Sequence, residues 1–283
     1  MTLLAELEPV VRLKRDVAAA AASLTLDEAR WAVDTYYQIQ KFRVGTNNRV
    51  KGLDRDAVKA GTEPEPHLFL GWTLDQLEVL EKQMVRGLAA FAAEHPVHPW
   101  LDSIVGIGPV LSAGLIAHLE LRPTVGAWYR FAGLDPTMTW AKGEKRPWNT
   151  TLKTLCWKIG DSFVKVSGRD DAYYGRAYVT RKIYEIERNK PELMVETVAK
   201  TLAEKKFSRD TQAKRAYDLG ILPPGRIDLR ARRWATKLFL SHLHEVWWRL
   251  EHNGEMPPAP FAIARLGHAD YLPPPNLSVV GLS

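Results

Sequence analysis

Leu101-Asp-Ser-Ile-Val-Gly-Ile-Gly-Pro-Val-Leu-Ser-Ala-Gly-Leu-Ile-Ala-His-Leu119 reads as two helices joined at Gly106-Ile107-Gly108. Two glycines permit a tight turn and bring backbone N–H groups close to a ligand, with no Cβ in the way. Pro109 suits the first helical position, where its missing N–H is one of the unpaired donors anyway. A phosphate at such a helix start meets free N–H groups and the positive end of the helix dipole. Gly106 and Gly108 are therefore candidate nucleic-acid contacts. The competing use is an ordinary corner between helices in which glycine serves packing.

Working outward toward the N-terminus, residues 1–24 read as a short alanine-rich helix, and Thr25 to Asp27 offers a cap for the next one. From Asp27 to about Gly45, Trp31, Tyr36, Ile39 and Phe42 recur at helical spacing. Gly52 to Pro66 reads as a polar loop broken by Gly61, Pro64 and Pro66. A second long helix is expected from about Thr73 to Glu94, with Leu74, Leu77, Leu80, Met84, Leu88 and Phe91 at steps of three and four. Two such helices should pack antiparallel as an arm.

Toward the C-terminus, Thr137 to Pro147 is a basic loop, and Asn149 or Thr150 can cap a helix over Thr151 to Val166. In that helix Leu152, Leu155, Ile159 and Phe163 fall on one side, with Lys153, Lys158 and Lys165 outward. Tyr173 to Asn189 is a further helix, residues 190–226 read as a charged, partly mobile connector, and Asp228 to Glu251 is a last strong helix. Pro257 to Pro275 should run extended over the surface. No stretch sustains period-two alternation, so the fold class expected is all-α.

The chain has 283 residues with a formal charge of +6. Residues 137–249 hold 24 Lys and Arg against 13 Asp and Glu, while the remainder holds 15 against 20. A polyanion-sized field in one region is the footprint of a nucleic-acid binder. Cys156 is the sole cysteine, which excludes an intramolecular disulfide and a thiolate-rich metal site and suits a reducing cytoplasm. Val17 to Ala22 is too short for a membrane span, and no export signal is seen, so no membrane partner is expected.

Candidate contacts follow from side-chain chemistry. Lys142, Lys145 and Arg146 sit in a glycine-containing loop suited to RNA phosphates, with Trp148 able to stack on an unpaired base. Asn149 at the following cap is counted with them, and Lys153, Lys158, Lys165 and Arg169 continue the track. Tyr36, Tyr37, Gln40, Arg43, Asn47 and Arg49 combine planar groups with forked donors on one arm helix. Packing within the arm is the competing use of the tyrosines. Arg230, Arg232, Arg233 and Lys237 lie along the final helix, where salt bridges to Asp228 or Glu245 compete with phosphate. His242 and His244 diverge by about 200° on a helix and are assigned no shared metal. His268 and Tyr271 are candidate anchors of the tail.

The run Gly106-Ile-Gly-Pro109 through Gly114, then Phe131-Ala-Gly-Leu-Asp-Pro136, a basic loop and a helix near Leu152 resembles the C-terminal module of bridge-RNA-guided insertion-sequence transposases. That module is similar to the Nop domain of box C/D small ribonucleoproteins, which follows a coiled-coil arm. In architecture the chain resembles the TIGR-Tas family of RNA-guided proteins, in its nuclease-less TasA form. Tyr36 to Arg43 with Asn47-Asn-Arg49, Ala231 to Ser241, and Ala264 to Pro275 carry the likeness further, in patches over about residues 28–276.

The resemblance implies five parts: an N-terminal helix (1–26), an antiparallel coiled-coil arm (27–97) and a Nop-like RNA-binding domain with a helix-hairpin-helix motif (98–189). The connector (190–226) and a basic helix with proline-rich tail (227–283) complete them. It implies a guide RNA and a target DNA as partners, a homodimer through the arm, and no cofactor. The departures argue against catalysis. The first 100 residues lack a strand-borne carboxylate set for metal ions, and the loop after Gly-Leu-Asp-Pro136 offers Thr137 and Thr139 but no serine. The histidines, His95, His98, His118 and His252 among them, lack an HNH setting. The expectation is a non-catalytic guide-RNA-binding protein, with a transposase-derived DNA-binding accessory protein as the alternative.

Overall fold

The computed structural model describes residues 15–64, 67–207, 209–258 and 271–282. Residues 1–14 of the expected N-terminal helix, and Ala264 to Asp270 of the tail with His268, lie outside the described residues. Every long element among the described residues is an α-helix and none is a strand. The chain divides into two compact units, one built from the described residues up to His98 together with Gly108–Glu120, the other from Pro99–Ile107 together with the described residues from Leu121 onward.

The first unit holds α1 (Arg15–Ala22), α2 (Leu26–Lys59) and α3 (Leu68–Ala93), with α5 (Pro109–His118) packed on α2 and α3. Thr25 and Glu28 close a capping box that starts α2. The expected loop from Gly52 is instead the end of α2, which runs through Gly45 and Gly52 to Lys59. Each glycine costs a helix about 1 kcal/mol, and pairing with α3 offsets it. Asp54 meets His67 at 3.5 Å beside the connecting turn, while Tyr36, Gln40 and Arg43 meet Glu81 several turns away, so α2 and α3 run antiparallel. The residues from Ser112 to His118 are all buried, and Arg30 Nε donates to the Ala117 carbonyl at 2.7 Å.

The second unit holds α4 (His98–Asp102) from Pro99 onward, α6 (Val125–Phe131), α7 (Thr150–Lys165), α8 (Tyr173–Glu187), α9 (Pro191–Glu204), α10 (Gln212–Asp218) and α11 (Pro224–Glu251). The first helix of the motif is thus a single turn ending at Asp102. Helix α11 is central and packs on α6, α7 and α8. Phe239 stands 5.9 Å from Trp100, 5.5 Å from Phe163 and 5.2 Å from Tyr174, ring centre to ring centre. Such aromatic clusters bury large apolar areas in fixed geometry. Trp100 Nε1 donates to the Pro275 carbonyl at 2.7 Å, which fastens the tail.

The connector expected over 190–226 forms α9 and α10. Met194, Val198, Tyr217, Leu222 and Ile227 make a small core of their own, with Phe207 against it. The Asn189 carboxamide brackets Leu222, donating to its carbonyl at 2.9 Å and accepting its N–H at 2.8 Å. High charge at the outward positions had hidden a helical apolar face.

Candidate nucleic-acid interface

Arg226, Arg230, Arg233 and Lys237 follow one another on α11 at steps of four, three and four, which keeps them on one face. At 1.5 Å per residue this cationic stripe is about 16 Å long. The opposite positions Ala231, Ala235 and Phe239 are buried. Arg232 is off the stripe. Its Nε donates to Asp228 at 2.5 Å and its Nη1 to Asp161 at 2.9 Å, which joins α11 to α7. Gly160 makes that approach possible, since a Cβ there would lie 2.9 Å from the Thr236 hydroxyl.

The basic loop continues the cationic surface. Arg146 lies 5.0 Å from the Trp140 ring, and Lys153 on α7 lies 4.0 Å from the Trp148 ring. Lys142 and Lys145 are exposed. Desolvation first, then the cations of Arg233 and Arg146, depress the Lys153 ammonium below the usual lysine range. Desolvation, then Arg226 and Arg230, depress the Arg233 guanidinium in the same direction. Lys237 is lowered by desolvation and by Arg233, against the pull of Asp135. These residues therefore share one field, positive and only partly neutralised. Crowded like charges disfavour their own charged forms, and an anion laid across them relieves the strain.

Beside the stripe is a cavity of about 330 Å³ walled by α8, α9 and α11. Arg181 and Glu185 line it from α8, Arg188 from that helix's C-cap, Met194 and Thr197 from α9, and Arg230, Arg233, Trp234 and Lys237 from α11. Trp157, 56% exposed, stands on the α7 side with Lys153, Arg232 and Arg233. Arg181, Arg188, Arg226 and Trp157 were all missed from the sequence. The spacing Arg226-Arg230-Arg233-Lys237 and the one-turn step from Lys153 to Trp157 were the signals available.

Several expected contacts also have partners within the protein. The Asn149 side chain caps α7, accepting the Leu152 N–H at 2.9 Å. The Trp148 ring packs close to Gly133, where a Cβ would come within 2.8 Å of it, and carries the Lys153 ammonium 4.0 Å from its centre. Lys165 pairs with Asp161 at 2.8 Å and Arg169 with Asp171 at 2.7 Å. Lys158 is half-buried, its ammonium lowered by desolvation and by Lys165.

The arm group lies in the first unit. Tyr36, Gln40 and Arg43 all donate to Glu81, and Tyr36 packs edge-on against Tyr37 with centroids 5.1 Å apart. Burial, then the Glu81 charge, pushes the Tyr36 hydroxyl up to about 12. Arm packing thus claims four of the six residues; Asn47 is half-buried and Arg49 exposed on the same helix.

The two glycines of the turn differ. Gly106 has φ +101°, its carbonyl accepts the Ser162 hydroxyl at 2.6 Å, and a Cβ there would sit 3.3 Å from Phe163 and Val166. Its role is close packing on α7. Gly108 is exposed at the N-cap of α5 with φ −100°, and a Cβ there would meet nothing within 4 Å.

His242 Nε2 donates to the Leu272 carbonyl at 2.8 Å, so its Nδ1 accepts the Tyr174 hydroxyl, also at 2.8 Å. His244 Nε2 donates to the Arg122 carbonyl at 2.7 Å. Both are interior pins, and Tyr271 fixes the tail by donating to Glu245 at 2.7 Å. Among the described residues no three His, Cys, Asp or Glu side chains gather to hold a metal ion.

What the described residues define is an all-helical protein with a cationic, tryptophan-bearing face. Comparison with models of known families, with curated proteins and with solved structures found no match.

Proposed function

We propose that this chain is a non-catalytic guide-RNA-binding protein whose ribonucleoprotein recognises DNA by base pairing. In that arrangement the protein supplies a cationic frame and the RNA supplies the sequence code. The observation that carries the reading is the cationic stripe of Arg226, Arg230, Arg233 and Lys237 on one face of α11, with Lys153 of α7 beside Arg233. At 3.4 Å of axial rise per phosphate on a strand, a stripe of this length faces about four or five successive phosphates. Exposed Trp157 adds a stacking surface for an unpaired base.

The finer architecture belongs to the same proposal. The α2–α3 pair acts as a coiled-coil arm, and residues 98–189 act as a Nop-like domain with a helix-hairpin-helix motif. Trp31 and Phe42 on α2 and Phe69 on α3, each more than 60% exposed, are the arm surface that a homodimer would cover. No helix among the described residues is long and apolar enough to cross a membrane. The partners proposed are a guide RNA and a target DNA, in the cytoplasm, with no cofactor.

The test is to purify the protein from its native host and sequence the copurifying nucleic acid. Discrete short RNAs of repeated sequence are expected. DNA fragments without such RNAs would replace the reading with a transposase-derived DNA-binding accessory protein.

A further inference from the structure

We propose that the cavity between α8, α9 and α11 holds a nucleotide bearing a terminal phosphate, a phosphomonoester end rather than an internal phosphodiester. This rests on the nucleic-acid reading and deepens it. The volume, about 330 Å³, is within the range of small-ligand pockets. Five cations, Arg181, Arg188, Arg230, Arg233 and Lys237, face one carboxylate, Glu185, a formal excess of four positive charges. An internal phosphodiester brings one negative charge, whereas a terminal phosphate brings nearly two at neutral pH and three acceptor oxygens.

The carboxylate is already committed. Glu185 is buried, accepts Arg181 Nε at 2.9 Å and accepts Arg230 Nη1 at 3.2 Å. It orients two guanidiniums, and their remaining donors are left for a ligand, because each guanidinium carries five N–H groups. Arg188 is placed by an aromatic group: its Nη1 donates to the Tyr184 hydroxyl at 2.7 Å, and its guanidinium is 5.3 Å from that ring. Trp234 lines the same wall, with Arg181 5.6 Å from its ring, and gives a flat apolar surface for a base or sugar. Forked donors converging beside an indole match a phosphate attached to a nucleoside.

The phosphate has two sources, an RNA end or a free nucleotide, and binding assays separate them. Full-length protein stripped of nucleic acid is titrated at fixed salt with RNAs of one sequence carrying a 5′-phosphate, a 3′-phosphate or neither, and with a nucleoside diphosphate as competitor. One phosphorylated end is expected to bind about tenfold more tightly than the hydroxyl-ended RNA, as charge-assisted bidentate bonds would give. Arg188→Gln should erase that margin while the thermal transition stays at its wild-type value. Arg188→Lys, which keeps the charge but not the fork, should narrow it. A diphosphate bound without any end preference identifies the free nucleotide as occupant. Equal affinity for all three RNAs with no diphosphate binding, or a margin retained in both variants, overturns the pocket and leaves the nucleic-acid reading standing. Diphosphate binding with no RNA binding overturns that reading and keeps the pocket.

Discussion

The Lys153 ammonium rests 4.0 Å from the centre of the Trp148 indole, while desolvation first, and then the cations of Arg233 and Arg146, push its proton affinity down. A base held below its ordinary pKa weakens the fold at neutral pH, where it is charged. Stability recovers as pH rises through the lowered folded-state value toward the unfolded one. Arg233 and Lys237 are strained in the same sense. A polyanion or added salt should act as high pH does, by screening the cluster. Differential scanning fluorimetry is expected to show a thermal transition that rises with NaCl and rises further with heparin. A transition indifferent to both would mean that the cluster is already neutralised.

Lys145→Glu combined with Arg146→Glu should abolish RNA retention and leave the thermal transition nearly unchanged, because both side chains are exposed. Arg232→Gln should do the reverse. It takes the shared guanidinium from Asp161 and Asp228, which keep Lys165 and Lys182 as partners, and costs about 1–3 kcal/mol, while RNA affinity per folded molecule holds. Denaturant melts paired with filter binding check both; wild-type retention by the double variant would remove the loop from the interface.

What was legible in the sequence and what was not divides along physical lines. Helices were legible wherever one apolar face dominated: Leu152, Leu155, Ile159 and Phe163 placed α7, and Asn149 its start. The end of α2 was not, because the apolar spacing fades near Gly45 and the polar stretch from Gly52 reads as loop, while the packing on α3 that holds it helical leaves no local pattern. The interface was legible as charge, but the division of labour among its members was not. Arg232 is neutralised by Asp161, 71 residues away, and Glu81 takes Arg43 from 38 residues away. Arg226 could have been found by extending the step of four back from Arg230. The role of Arg188 depends on α8 and α11 being neighbours, which no local pattern discloses.

Gly106→Ala is expected to destabilise the protein by about 1–3 kcal/mol, since an L side chain at φ +101° is strained and its Cβ would press on Phe163 and Val166. Gly108→Ala should cost less than about 1 kcal/mol, the price of a poorer N-cap. Equal losses in chemical denaturation would contradict the separate roles of the two glycines.

Glu81→Gln should loosen the α2–α3 pair, leaving the partly buried Arg43 guanidinium without its carboxylate. The thermal transition is expected to fall and RNA affinity at a temperature well below it to stay constant. A selective loss of RNA binding would return Tyr36, Gln40 and Arg43 to the interface.

His242 sets an acid limit on the fold. Burial lowers its pKa to about 4, against the opposing hydrogen bond to the Leu272 carbonyl. Above the ordinary histidine value of about 6.5 both folded and unfolded states keep the ring neutral, and its contribution to stability is whole. As pH falls from there toward 4, only the unfolded chain takes up the proton, so stability drops by on the order of 3 kcal/mol from this group. His118 and His244 are shifted in the same direction by burial and add to the slope. Urea melts between pH 7 and pH 4 should therefore show a steady decline in unfolding free energy. In His242→Gln, whose side chain does not titrate, the slope should fall by one proton's worth, about 1.4 kcal/mol per pH unit. An unchanged slope in that variant would mean that His242 is protonated inside the folded protein, which is incompatible with a ring that accepts the Tyr174 hydroxyl.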